Sequence, residues 1–118
     1  MVDIDDDDDL YRRVVPYHIK PNLQVSSAAF KDKRGPLRRF SVDLARLTTP
    51  EESLRPMPHF RLIAFRALTP RRLGVTVTHE PESGNYAHCN VEGVSSDDSC
   101  SQLAAESWLV EVQSASRY

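Results

Sequence analysis

The chain has 118 residues, 40% hydrophobic and 27% charged, with eight Pro, four Gly and two Cys, which suits one globular domain and leaves no room for two. A domain of this length buries roughly two-thirds of the surface its extended chain exposes, so it needs neither a disulfide nor a metal to fold. No apolar run approaches the roughly 20 residues of a membrane span. The net charge of −2 hides a strong sorting by position, with −6 over residues 1–10, +10 over 11–72 and −6 over 73–118.

The run Asp5 to Asp9 repels itself and brings little to bury, so residues 1–9 read as an acidic disordered tail ahead of a single domain, 10–118. A sharper reading folds that tail back over the basic middle, where it competes with a polyanion. A secretory signal would be basic and then apolar, so a cytoplasmic protein without a membrane partner is expected.

Leu10 to Val15 has the β-branched and aromatic content of a strand, stopped by Pro16, and Pro16 to Pro21 reads as a loop. Val25 to Phe30 is expected as a second extended piece and Lys31 to Pro36 as a polar turn. Phe40, Val42 and Leu44 alternate with Ser41, Asp43 and Ala45, the pattern of a half-buried strand. Thr49-Pro50-Glu51-Glu52 then supplies a capping hydroxyl, a Pro at the first helical position and two carboxylates at the positive end of the dipole. Pro56 and Pro58 limit that helix to a turn or two.

His59 to Leu68 is the most apolar stretch and is expected as a strand. Thr69-Pro70 opens another short turn that Gly74 ends, and Val75 to Thr78, β-branched throughout, is the clearest strand. With Glu80 to Asn85 as a turn and Tyr86 to Glu92 alternating again, residues 74–92 read as a β-hairpin. Ser95 to Asp98 start a closing helix in which Cys100, Leu103, Ala104, Trp108 and Val112 recur at helical spacing, with Trp108 docking it. The expected fold is therefore α+β: one small antiparallel or mixed sheet, short helices and a C-terminal packing helix.

Four kinds of chemistry merit testing against this frame. A zinc site from His79, His88, Cys89 and Cys100 is disfavoured, because adjacent strand residues His88 and Cys89 point to opposite faces and no CxxC or HxxxH spacing occurs. Neither a metal nor a cofactor is expected, and both cysteines read as thiols. Nucleophile–base pairs, Ser26 or Ser27 with His18 or His59 and Cys89 with His79, lie in no local signature with a mechanism attached. Anion binding draws on Arg71 and Arg72 beside Thr69-Pro70, and nucleic-acid binding on Lys31, Lys33, Arg34, Arg38 and Arg39 between Phe30 and Phe40. Arg12 or Arg13, Ser26-Ser27 and Glu80 or Glu82 are similar in layout to the Arg–Ser–Glu set of ADP-ribosyltransferases, although the chain is short for that fold.

LYRRV, VSSAAF, SVDLARLTTPEESL and GNYAHCNVEG together resemble a group of small stand-alone bacterial proteins with no activity to carry over. The resemblance spans nearly all of residues 10–110 and implies a bacterial cytoplasmic origin and a single domain. A Pro is expected after the Asn of the last motif, where this chain has Tyr86.

The leading functional expectation is a non-enzymatic protein-interaction or accessory module that meets its partner through a charge-polarised surface, with Arg12, Arg13, the 31–39 bases and Arg71-Arg72 as binding residues. Two alternatives stand beside it. One is nucleic-acid binding by Lys31–Arg39 and Arg71-Arg72; the other is a small transferase-like toxin using Arg13 and Ser27. A polar pocket of Ser26, Ser27, His88 and Asn90, joined by Arg13, is the arrangement an active site would require.

Overall fold

A computed structural model describes residues 1–112; residues 113–118, the end of the expected domain, lie outside the described residues. The elements run β1 (Asp9–Val14), β2 (Lys31–Asp32), β3 (Gly35–Pro36), β4 (Arg39–Leu44), α1 (Pro50–Leu54), β5 (Arg61–Arg66), α2 (Leu68–Arg72), β6 (Thr76–His79), β7 (His88–Glu92), α3 (Asp97–Ala105) and β8 (Trp108–Val110). The fold is α+β. Six strands form one antiparallel sheet in the order β6-β7-β4-β1-β5-β8, and β2 and β3 form a separate small hairpin.

Alternation along the strands gives the sheet two unlike faces. One carries Leu10, Phe40, Val42, Leu44, Ile63, Phe65, Cys89 and Val91 into the core, where they meet Val25, Ala29 and Phe30 and, from α3, Cys100, Leu103 and Ala104. Phe30 stands 5.6 Å from Phe40 and 5.8 Å from Phe65 between ring centres, with tilted and edge-on geometries. The second face presents Tyr11, Arg13, Ser41, Asp43, His88 and Asn90. Register makes Tyr11 and Asp43, Asp43 and His88, and Ser41 and Asn90 cross-strand neighbours on it.

Several local expectations change. Ser27–Phe30 is a 3-10 turn rather than an extended piece, because Ser26 Oγ accepts from Ala28 N and starts a turn that drives Phe30 inward. The closing helix stops at Ala105: Glu106 takes the C-cap, and Trp108-Leu109-Val110, with strand-favouring side chains, pair with β5 as the edge strand β8. Trp108 is thus 41% exposed on a strand and does not dock a helix. The packing helix of the core is α3, against the Ser27–Phe30 turn.

The N-terminal acids lie against the body. Ile4 enters the core and Val2 packs beside it. Ala67 N donates to Asp8 O and Leu68 N to Asp6 O, while Asp8 pairs with Arg46 at 3.0 Å and Asp6 with Arg71 at 2.8 Å. Two aliphatic side chains and two arginines hold what charge repulsion alone would release. Within the basic middle, Arg46 and Arg71 are the residues that these acids meet.

Arg12 lies on the core side of β1, where a charge needs unusual support. Its guanidinium sits 4.5 Å from the centre of the Phe40 ring. Nε and Nη2 donate to Ala29 O at 3.2 and 3.1 Å, and Nη1 donates to Ser41 O at 3.2 Å. Burial, then the nearby charge of Arg13, lowers its pKa to about 10, which leaves it protonated at neutral pH. Arg12 is a packing and bridging group, not a free anion contact. A lysine has no planar fork to stack and bridge two carbonyls, so Arg12→Lys is expected to cost roughly 2 kcal/mol in urea unfolding; an unchanged midpoint and slope would contradict this role.

Candidate functional site

The second face of the sheet is organised by one buried carboxylate. Asp43 is 3% exposed, and three groups from three parts of the chain converge on it. Ser53 Oγ of α1 donates to Oδ2 at 2.5 Å, Asn85 Nδ2 donates to Oδ1 at 2.8 Å, and Arg13 Nη1 of β1 lies 3.5 Å from Oδ2. Arg13 Nη1 also donates to Ser53 O at 2.7 Å, closing the network. Each partner is placed by local sequence. Thr49 Oγ1 accepts from Glu52 N and Pro50 occupies the first helical position, which starts α1 and turns Ser53 inward. Glu82 and Asn85 exchange backbone hydrogen bonds across a tight turn, where Gly84 takes φ +80°.

Between α1 and that turn lies a cleft of about 470 Å³, floored by Arg13 and Asp43 and walled by Thr49, Glu52, Glu82 and Tyr86 among others. Among the described residues, Arg13 Nε and Nη2 have no protein partner. Glu52 pairs with Arg55 at 2.5 Å, and Glu82 Oε1 lies 3.5 Å from His88 Nε2. Lining charges are thus three carboxylates against one guanidinium, with the exposed ring of Tyr86 on the rim. Tyr86 stands where a Pro was expected. Its ring packs edge-on to His79 at 5.0 Å and its carbonyl meets His79 Nε2 at 2.7 Å.

Beside the cleft, His88 is held through both ring nitrogens. Nδ1 lies 2.7 Å from Glu80 O and Nε2 lies 3.0 Å from Ser41 Oγ. Asn90 Nδ2 donates to Glu80 Oε2 at 2.7 Å, and Arg39 Nη2 reaches Glu80 Oε1 at 3.5 Å. His88 and Asn90 are therefore neighbours, as the polar-pocket reading asks. Ser26 and Ser27 are not with them: they start the turn on the core side of the sheet, and Ser26 Oγ is spent on Ala28 N. Arg13 and Ser27, the transferase-like pair, stand on opposite sides of the sheet for the same reason. Ser41 takes the place expected of Ser27. Its signal was the alternation of β4, which sends Ser41 and Asp43 to one face, but the partner strand could not be read from sequence.

The basic residues scatter. Lys31 pairs with Asp97 at 3.4 Å and Arg34 with its neighbour Asp32 at 3.4 Å, while Lys33 and Arg38 are exposed. Arg71 and Arg72 lie in the last turn of α2, where cations suit the dipole, rather than in the first. Arg71 is engaged by Asp6 and Ile4 O, and Arg72 by Glu106. Folding pairs five bases of the middle, Lys31, Arg39, Arg46, Arg71 and Arg72, with acids of the two ends.

Among the described residues no group of three or more His, Cys, Asp or Glu could hold a metal ion, and no helix is long and apolar enough to cross a membrane. Comparison of the chain with protein families, with curated proteins and with solved structures found no match.

Cys89 and Cys100 are fully buried free thiols, donating to Ala87 O and Phe30 O respectively. Burial, reinforced by Asp43, pushes the Cys89 thiol up from 9.0 to about 11. Folding thus favours the neutral thiol: the contribution is complete below the unfolded value of 9.0 and is lost as pH rises through about 11. A thiol reagent at pH 8 should label neither cysteine in native protein and both after unfolding in denaturant; rapid native labelling would contradict the buried placement.

Proposed function

We propose that this protein is a protein-interaction module whose cleft takes a basic segment of a partner. The observation that carries the reading is the fixed Arg13–Asp43–Ser53–Asn85 floor beneath a cleft walled by Glu52 and Glu82. A preorganised floor lowers the ordering cost of binding. A lysine or arginine side chain entering between the two glutamates gains opposite charge on both walls and the π face of Tyr86. The unpartnered N–H groups of Arg13 suit a main-chain carbonyl of the same segment. The binding sign is opposite to the one that charge counting along the sequence suggests, because the basic residues meet acids of their own chain.

An accessory role in a bacterial cytoplasmic system is the setting that the family resemblance supports. Nucleic-acid binding has less support, since Lys33 and Arg38 are the exposed bases of the 31–39 segment that have no acid partner among the described residues.

Fluorescence anisotropy with a labelled Lys/Arg-rich decapeptide tests the reading. Binding is expected to weaken as ionic strength rises from about 0.05 to about 0.5 M. Glu52→Lys with Glu82→Lys should weaken it about tenfold or more, corresponding to roughly 1.4 kcal/mol. Equal binding of an Asp/Glu-rich decapeptide, or an unchanged affinity in the double reversal, would overturn it.

A further inference from the structure

Strand register puts a hydroxyl, an imidazole and an amide side by side on the second face, next to the cleft. We propose that Ser41 and His88 form a nucleophile–base pair able to transfer the acyl group of small, unhindered esters to water. The inference is independent of partner binding and rests on the geometry of β4 and β7.

Three relations single out the pair. First, His88 Nδ1 lies 2.7 Å from the Glu80 carbonyl, which only accepts, so Nδ1 carries the proton. Nε2 is then the bare nitrogen, 3.0 Å from Ser41 Oγ and oriented to take its proton. Second, the imidazole is 5% exposed and held rigidly, while Ser41 is exposed and can be approached. Third, Glu82 Oε1, 3.5 Å from Nε2, stabilises the imidazolium that forms. The other imidazole at a strand end lacks this freedom. His79 accepts from Val2 N at Nδ1 and meets Tyr86 O through Nε2, so neither nitrogen is available. Cys89, opposite it in register, is buried with a raised pKa.

In the first step Ser41 Oγ bonds to the acyl carbon while its proton passes to His88 Nε2. The bond from that carbon to the leaving oxygen breaks, and the departing oxygen keeps the electron pair and takes the proton from Nε2. Water then adds to the acyl-Ser41 ester, giving a proton to Nε2. The Ser41 Oγ–acyl bond breaks, the proton returns to Oγ, and a carboxylic acid leaves. Asn90, directly across from Ser41 in register, holds one Nδ2 hydrogen on Glu80 and has a second to offer the oxyanion. Arg39, Asn90 and Glu80 make the surroundings polar, so acetyl-sized acyl groups fit this surface better than long aliphatic chains.

The full chain, incubated with p-nitrophenyl acetate, should release p-nitrophenol with an initial burst and carry an acetyl group on the peptide containing Ser41. Ser41→Ala, a change at an exposed strand position, should lose about a hundredfold or more of the rate together with the adduct. His88→Gln should lose the rate to a similar extent with its circular dichroism intact. Because the buried His88 variant can fail on folding grounds, the Ser41→Ala rate and the adduct map decide the matter alone. An acetyl group confined to other residues, no adduct at all, or a wild-type rate in Ser41→Ala would each overturn the pair.

Discussion

A carboxylate buried on the polar face of an antiparallel sheet is the constraint around which this protein is arranged. Burying an ion is costly, and the cost is offset only where its lone pairs meet well-placed donors. Asp43 meets Arg13, Ser53 and Asn85, which belong to the central strand, a one-turn helix and a tight turn respectively. Those three pieces are far apart in sequence. The carboxylate therefore does for the second face what the Phe30–Phe40–Phe65 cluster does for the first: it fixes loops against the sheet. The cleft and the neighbouring Ser41–His88 pair both inherit their geometry from it, because Asp43 lies opposite His88 in register.

Electrostatics act here mainly within the chain. Asp6 and Asp8 reach Arg71 and Arg46, Glu106 reaches Arg72, Asp97 reaches Lys31 and Glu80 reaches Arg39. Individually such surface pairs contribute little. Together with the burial of Ile4, however, the Asp6 and Asp8 pairs bring the acidic start of the chain onto its basic middle. In the cleft Glu52 and Glu82 stand beside Arg13, with Glu52 paired to Arg55 and Arg13 facing Asp43.

Much of this architecture was legible from local pattern. The strands around Phe40–Leu44, Thr76–His79 and His88–Glu92 follow from period-two alternation and β-branched content, Arg61–Arg66 follows from its apolar run, and Thr49 and Ser96 cap helices as their chemistry dictates. What escaped was long-range. Nothing near Trp108 says that β5 has a free edge to receive it, so Trp108 and Val112, at helical spacing from Leu103 and Ala104, read as a continuation of the helix. The Ser26-Ser27 pair drew attention because paired hydroxyls are conspicuous in a sequence, whereas Ser41 was one polar residue in an alternating strand. Its importance comes from His88, 47 positions away, through a pairing that only the closed sheet defines. Charge counting by block likewise says nothing of the individual pairs, such as Asp6–Arg71 and Asp8–Arg46, that form once the ends fold back.

Hydrogen–deuterium exchange on Asp43→Ala, compared with the unsubstituted chain, tests most directly whether the carboxylate holds the second face together. The account predicts that amide protection falls at once in two separated segments, Glu52–Arg55 and Asn85–His88, while the β1–β5 pairing and α3 keep theirs. Protection unchanged in both segments, or lost evenly across the whole domain, would contradict it.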